Sequence, residues 1–283
     1  MATFTNRAQI TYSGGTAVSN VVTGELAEAL NVTKSSFGTG YGPGESITYA
    51  VTVTNSTAED FAGLTLTDDL GTYTENDLTL TPLTYVDGSV HYFANGTLQP
   101  TPAVTATESA LTITDLFVPA NGNALLIYSA TANEFAPLGA GEITNTATVS
   151  GGTLAQPISD TLTLPFTDGP ILSLTKALTP PVVNENGQVT YTITVSNTGN
   201  EAATAADNVT LTDTLDPVLS AMNVTYNGAP WTRTINYTYD ETGAFASAAG
   251  QITVPAATYT QDTTTGAWSL TPGTATVTMT GTV

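Results

Sequence analysis

Two lysines occur in this chain of 283 residues, and they stand at matching positions of an internal repeat. Lys34 closes the segment 30–34 and Lys176 closes the segment 172–176. In both segments apolar residues alternate with other residues, and the lysine falls on the apolar side of the alternation. A lysine amine held in an apolar environment is a candidate nucleophile, because desolvation favours its neutral form.

Each repeat also places an aspartate on an apolar strand face. The segment 63–70 alternates leucines with Asp68, and the segment 208–215 alternates apolar residues with Asp213 in the same way. Because side chains two residues apart lie on the same side of a strand, both aspartates are predicted to point into a core.

Asparagine interrupts the apolar face of a third strand. In the segment 142–153, Asn145 shares one face with isoleucine, alanine and valine. A close copy stands at 4–16, where Asn6 shares a face with phenylalanine, alanine and isoleucine. The repeat that contains Lys176 runs to residue 283 without such a strand. A repeat divided in this way predicts a subunit that is completed by its neighbour.

A lysine, an aspartate and an asparagine in one dry core can carry out one particular reaction. A lone polar residue in a core is costly without a partner, so the three in each repeat are expected to meet. The neutral amine then attacks the asparagine amide, the aspartate polarises that amide and carries the proton, and ammonia leaves. An isopeptide bond remains. The reaction happens once, so the protein is its own substrate and not a turnover enzyme. The alternative is a buried salt bridge or a hydrogen-bonded trio without a covalent bond.

Composition excludes several other functions. The net charge of −20 argues against nucleic-acid binding, which needs basic residues on the phosphates. The absence of cysteine excludes disulfides and thiolate chemistry, and His91, the only histidine, has no triad pattern around it. We therefore predict no cofactor and no metal site. No stretch is apolar enough to span a membrane, so we expect no membrane insertion.

Short alternating strands separated by turn residues predict an all-β fold of two tandem Ig-like antiparallel β-sandwiches. We predict a first domain at 27–167, a turn-rich joint at 165–170 and an incomplete second domain at 171–283. Residues 1–26 are predicted to form an N-terminal donor hairpin that turns at Gly14 and Gly15.

The ordered set of phrases at 34–36, 47–55, 64–70 and 143–149 resembles a bacterial surface-repeat family, the one known as domain of unknown function eleven. This family is related to the isopeptide-forming Ig-like domains of Gram-positive pilins and adhesins. The resemblance covers nearly the whole chain, twice. It implies a first-strand lysine joined to a last-strand asparagine, with an acidic helper between them. By position these are Lys34, Asn145 and Asp68. The second repeat matches at Lys176 and Asp213 but departs from the pattern because it has no closing asparagine.

Asn6 is the candidate for the missing partner, from the same chain or from another. The hairpin leads directly into the first strand of domain one, and domain two hangs from the opposite end. Closure within one chain would require the domains to fold back, so donation to a neighbour is simpler. Head-to-tail donation does not close and generates a filament. The catalytic residues would be Asp68 and Asp213; Lys34 and Asn145 would form an intramolecular cross-link, and Lys176 and Asn6 an intermolecular one.

The predicted function is a structural subunit of a self-assembling extracellular filament, such as a pilus or a spore appendage. Its partners are identical subunits, with a cell- or spore-surface anchor protein as a further candidate. The alternative function is an adhesin or stalk fragment that binds a host glycan or protein through loops such as 71–77 or 240–250. The N-terminus lacks a secretion signal, so either a leader has been removed or export follows another route.

Overall fold

The structure, a computed structural model, describes the backbone of residues 2–26 and 29–283. These residues are β-strands and connections, with one short 3₁₀ helix at Ala205–Asp207. The all-β prediction is confirmed: two antiparallel sandwiches follow an N-terminal hairpin. In the part of the chain that the structure describes, no helix has the length and apolar character needed to cross a membrane.

The N-terminal hairpin is long, and its described side chains are almost all exposed. Its strands are β1 (Ala2–Asn6), β2 (Gln9–Tyr12), β3 (Gly15–Val18) and β4 (Val22–Leu26). Strand β1 pairs with β4, and β2 pairs with β3. Tyr12 lies opposite Gly15, so the chain turns at Ser13 and Gly14, one residue before the predicted position. Residues 3–23 are all exposed, including the apolar side chains of its strands.

The first sandwich contains two sheets. Its strands are β5 (Leu30–Ser36), β6 (Ser46–Asn55), β7 (Phe61–Asp68), β8 (Tyr73–Glu75), β9 (Leu78–Leu80), β10 (Leu83–Tyr85), β11 (His91–Ala94), β12 (Thr97–Leu98), β13 (Ala103–Ala106), β14 (Leu111–Val118), β15 (Asn123–Ala132), β16 (Glu142–Gly151) and β17 (Ile158–Pro165). One sheet has the order β12-β11-β15-β6-β5, with β10 also on β15; the other has the order β13-β14-β7-β16-β17. Strands β8 and β9 pair only with each other, in a short hairpin outside these two sheets.

The core between these sheets follows the alternation of the strands. Along β6, residues Ile47, Tyr49, Val51 and Val53 are buried, while the residues between them are partly exposed or exposed. Each large apolar side chain removed from water contributes roughly 1.5–3 kcal/mol, which makes this register strongly preferred over one shifted by a residue. Phe166, predicted to lie in the joint, is 2% exposed and belongs to this core.

The second sandwich repeats part of this plan. Its strands are β18 (Leu172–Thr179), β19 (Gln188–Asn197), β20 (Thr212–Thr214), β21 (Ser220–Tyr226), β22 (Ala229–Trp231), β23 (Tyr237–Tyr239), β24 (Ala244–Ser247) and β27 (Gly273–Thr282). Before β27, strands β25 (Thr258–Gln261) and β26 (Trp268–Thr271) form a separate two-stranded hairpin. One sheet has the order β18-β19-β27-β21-β22 and the other β20-β24-β23.

Strand order shows which element the second sandwich lacks. The series β18-β19-β27 matches β5-β6-β15, and β20-β24 matches β7-β14. Strand β27, the last strand of the second repeat, is therefore the counterpart of β15. In the first sandwich β7 also pairs with β16, and β16 with β17. Within the described residues nothing pairs with the corresponding edge of β20.

A hairpin of the second repeat lies on the first core. In β25 and β26, Tyr259, Trp268 and Leu270 pack against the first sandwich, and the backbone N–H of Trp268 donates to the Glu134 carbonyl at 2.7 Å. The sequence boundary between domains did not predict this contact. The expected ligand-binding loops 71–77 and 240–250 instead contain strands β8 and β24.

Equivalent apolar residues of the hairpin and of β16 should differ in their effect on stability. Phe4 is 58% exposed and Ile143, its counterpart, is 1% exposed. Phe4→Ala should change the free energy of unfolding of the monomer by less than about 0.5 kcal/mol. Ile143→Ala should lower it by about 2–5 kcal/mol. Urea denaturation of the monomer isolated by gel filtration measures both. Equal losses would show that the hairpin packs within its own chain.

Candidate functional site

Lys34 lies on β5 with its side chain in the core of the first sandwich. The side chain has no exposed surface, and its backbone N–H donates to Asp160 Oδ2 of β17 at 2.7 Å. Strand β17 therefore packs beside β5 and closes the sandwich over the lysine. The alternation of β5, which also buries Leu30 and Val32, directs the amine inward.

Asp68, at the end of β7, is the charged partner of Lys34. Its Oδ2 accepts hydrogen bonds from Lys34 Nζ and from the Tyr128 hydroxyl, and its Oδ1 accepts one from the Leu70 N–H at 2.9 Å. Neither side chain of the ion pair has exposed surface. Burial lowers the pKa of Lys34 from its usual 10.5, although the Asp68 charge opposes this shift. The neutral form of the Lys34 amine is therefore more highly populated in this core than in water.

Two tyrosines enclose the amine. Lys34 Nζ lies 4.8 Å from the ring centroid of Tyr49 and 5.8 Å from that of Tyr128. The two rings stack with centroids 5.7 Å apart. Sequence reasoning missed both residues as parts of the site, although Tyr49 belongs to the repeated phrase that returns at 188–197.

Asn145 is buried without a hydrogen-bond partner. It lies on β16, is 1% exposed, and neither its Nδ2 nor its Oδ1 has a partner among the described residues. The Tyr49 hydroxyl is its neighbour: the Asn145 side chain opposes the rise in the pKa of Tyr49 that burial causes, yet the two groups do not reach hydrogen-bond geometry. Lys34 and Asn145 therefore both lie beside Tyr49: the lysine amine is over the ring, and the asparagine side chain is near the hydroxyl.

Other buried asparagines of the repeat behave differently. Asn55 donates to the carbonyls of Glu59 and Pro119, and its counterpart Asn197 donates to those of Glu201 and Pro255. Leaving a buried polar group unpaired costs about 1–3 kcal/mol. Asn145 therefore differs from Asn55 and Asn197, because its buried side-chain amide has no hydrogen-bond partner among the described residues.

The second site has a lysine and an aspartate at the corresponding positions, but it is open to solvent. Lys176 Nζ lies 2.6 Å from Asp213 Oδ2 and 4.5 Å from the ring centroid of Tyr191, the counterpart of Tyr49. The side chains of Lys176 and Asp213 are 36% and 16% exposed. Strand β18 is exposed along its whole length.

Apolar exposure on β18 marks the surface that lacks a cover. Leu172 and Leu174 are 38% and 61% exposed, whereas their counterparts Leu30 and Val32 are 1% and 6% exposed. In the first sandwich this face is covered by β17, which together with β16 fills the space that is open in the second. The open face therefore has the apolar character of a core surface.

Asn6 lies on the hairpin in a register similar to that of Asn145. Asn145 pairs with Leu162, 17 residues further on, and Asn6 pairs with Val22, 16 residues further on. Both asparagines therefore stand at nearly the same distance from the tip of a two-stranded hairpin. Asn6 is exposed, and the strand partners of its hairpin are the hairpin's own strands. The structure brings Lys176 and Asp213 together, but no asparagine of residues 2–26 or 29–283 forms a hydrogen bond with them.

No model of a known protein family matches the sequence, and no curated protein sequence matches it. Among solved structures, the chain is similar to the major pilin subunit of Bacillus cereus, at 14% identity and a TM-score of 0.39, over 87% of this chain and 63% of that one. It is also similar to the pilus backbone from Streptococcus pneumoniae, at 14% identity and a TM-score of 0.35, over 86% and 55%. A third similar structure is a C-terminal fragment of a Streptococcus agalactiae major pilin, at 13% identity and a TM-score of 0.35, over 78% and 79%. The chain thus spans less than two thirds of the first two.

The lowered pKa of Lys34 predicts a pH dependence of stability when its amine stays free. In the variant Asn145→Ala, Lys34 should lose its proton at a lower pH in the native state than in the unfolded chain. Between the lowered native pKa and the unfolded value of 10.5, the unfolded chain therefore binds more protons than the native state. The free energy of unfolding should therefore rise with pH across this window. It should be measured below pH 10, since the tyrosines with raised pKa oppose the trend above it.

The double variant Lys34→Met and Asn145→Ala is the control, and its profile should lack this rise. Urea denaturation at a series of pH values measures both proteins. A profile of Asn145→Ala that matches the double variant would show that Lys34 retains its proton in the core.

Proposed function

We propose that the protein is a structural subunit of an extracellular filament, joined head to tail by strand complementation and by Lys–Asn isopeptide bonds. One observation carries the proposal. The second sandwich is open where the first holds β16 and β17, and the N-terminal hairpin repeats the sequence of β16 and is exposed over residues 3–23. The hairpin of one subunit would fill the open site of the next.

The open site offers both kinds of interaction that hold β17 and β16 in the first sandwich. The free edge of β20 presents backbone groups for a strand corresponding to β16, as β7 does for β16 itself. The exposed leucines of β18 would be covered by the second strand of the hairpin, and its exposed apolar residues would become core. Burying both surfaces at once removes two hydrophobic faces from water.

In domain one, residues 27–167, we assign Lys34 and Asn145 to an intramolecular cross-link assisted by Asp68. The amine is buried with a lowered pKa, the carboxyl contacts it, and the Asn145 amide has no competing hydrogen bonds. Attack of Nζ on the side-chain amide carbon would replace the bond to Nδ2 and release ammonia. By analogy with a disulfide, closing a loop of this length would add on the order of 4–5 kcal/mol.

In domain two, residues 171–283, Lys176 and Asp213 would carry out the same reaction on Asn6 of the neighbour. The ion pair is already formed over Tyr191, and the incoming hairpin would bring the asparagine and exclude water. Docking would thus complete the site, and the covalent bond would make the association irreversible.

This arrangement determines how force would pass along the filament. Tension would enter domain one at Lys34, cross to Asn145, continue through the joint to Lys176, and cross to the next subunit at Asn6. Most strands of each sandwich would lie outside this path, so the sheets would not have to separate under load. The acidic surface would keep filaments dispersed at a cell or spore surface, where an anchor protein would hold them.

The proposal predicts a ladder of multimers after boiling in detergent. Denaturing electrophoresis of the purified protein should show it, and intact mass should be lower by one ammonia for each cross-link. Lys176→Ala and Asn6→Ala should abolish the ladder, because each removes one end of the intermolecular bond. Lys34→Ala should preserve the ladder and remove only the intramolecular loss of ammonia.

Asn20→Ala is the matched control, since Asn20 is exposed on the same hairpin and should leave the ladder unchanged. Electron microscopy of Lys176→Ala should still show filaments, held by strand complementation alone. Monomeric bands from the wild-type protein, or a ladder that survives Lys176→Ala, would contradict the covalent part. Absence of filaments from the wild-type protein would contradict the assembly itself.

A further inference from the structure

The two lysine sites differ at one buried position. Strand β6 pairs with β15 so that Tyr49 lies opposite Tyr128, and β19 pairs with β27 so that Tyr191 lies opposite Met279. Tyr128 and Met279 have no exposed surface. The position next to the shared tyrosine therefore carries a phenol in the first site and a thioether in the second.

The Tyr128 hydroxyl contacts both the amine and the carboxylate. It accepts a hydrogen bond from Lys34 Nζ at 3.2 Å and donates one to Asp68 Oδ2. Stacking on Tyr49 fixes the direction of the ring. Burial, together with the Asp68 charge, raises the pKa of Tyr128 well above its usual value, so the phenol keeps its proton. The Tyr128 hydroxyl therefore remains both a donor and an acceptor, and it links the Lys34 amine to the Asp68 carboxylate.

Met279 can form neither of these contacts, because a thioether has no proton and is a weak acceptor. Asp213 Oδ2 is close to Lys176 Nζ, but it has no partner in hydrogen-bond geometry among the described residues. The Lys176 side chain keeps 36% of its surface exposed, whereas Lys34 keeps none. The second site therefore holds its lysine in a partly exposed ion pair, without the bridge found in the first.

We infer that Tyr128 is a further catalytic residue of the first site, and that Met279 at the same position keeps the second site slow until a hairpin covers it. The inference rests on the proposed cross-linking function. It explains how one chain could carry two similar lysine sites, of which one reacts on folding and the other waits for a partner.

The proposed step balances as follows in the first site. Lys34 Nζ passes a proton to the Tyr128 oxygen while Tyr128 passes its own proton to Asp68 Oδ2, so the phenol is regenerated. The neutral amine attacks Cγ of Asn145 and forms the new C–N bond. The bond from Cγ to Nδ2 breaks, and Nδ2 takes the proton from Asp68 and leaves as ammonia. Asp68 takes a second proton from Nζ and retains it.

The test follows ammonia loss during cell-free synthesis of the full chain. Lys176→Ala is used as the background so that only the intramolecular bond forms, and samples taken at intervals are analysed by intact mass. Tyr128→Phe keeps the stacked ring and removes only the hydroxyl. It should slow the reaction on the order of a hundredfold and change its pH profile. A rate within about twofold of the background and an unchanged profile would overturn the inference.

A second variant decides the question if Tyr128→Phe does not fold. In the chain with Lys176 intact, Met279→Tyr should accelerate the intermolecular cross-link, whereas Met279→Phe, which adds a ring without a hydroxyl, should not. Equal rates for the two Met279 variants would overturn the inference. Failure of the proposed function itself gives a different result, because the Lys176→Ala background would then lose no ammonia at all.

Discussion

A lysine side chain in an apolar core must be compensated, and the first sandwich is organised around that requirement. An unpaired buried charge costs several kcal/mol, roughly what a whole domain has in reserve. The compensation comes from three different strands: Asp68 at the end of β7, Tyr128 on β15 and Tyr49 on β6. Asn145, on a fourth strand, lies beside Tyr49, and its side chain has no hydrogen-bond partner among the described residues. The site thus compensates the amine and leaves the Asn145 amide without a partner among the described residues, as the proposed cross-link requires.

The second sandwich also has a lysine to compensate, but it lacks part of the compensation found in the first sandwich. Its ion pair is partly exposed, the leucines of β18 are exposed, and the edge of β20 has no partner among the described residues. An open sheet edge beside an apolar face is a surface that proteins normally cover. The N-terminal hairpin carries the complementary features, since it repeats β16 in sequence and exposes its own apolar side chains. The two surfaces explain each other in the proposed filament.

Much of this could be predicted from particular residues. Period-two alternation placed Lys34, Asp68 and Asn145 on inward faces, and all three are buried. The same reasoning failed at connections: the turn at Ser13 and Gly14 was displaced by one residue, and two expected loops contain strands. Strand β27 alternates like any other strand, and only its pairing with β19 shows that it is the counterpart of β15. The contact of Trp268 with the first core likewise depends on how two distant segments fold together.

The sequence by itself determined which side chains share a strand face, and which motifs occur in copies, because side-chain direction along a strand repeats every two residues. The tertiary structure decided which strands are neighbours and which edges stay open. It alone shows that Tyr128 bridges Lys34 and Asp68 and that Met279 replaces it in the second site. Those contacts arise from pairing between segments far apart in the chain, and no local pattern encodes such pairing.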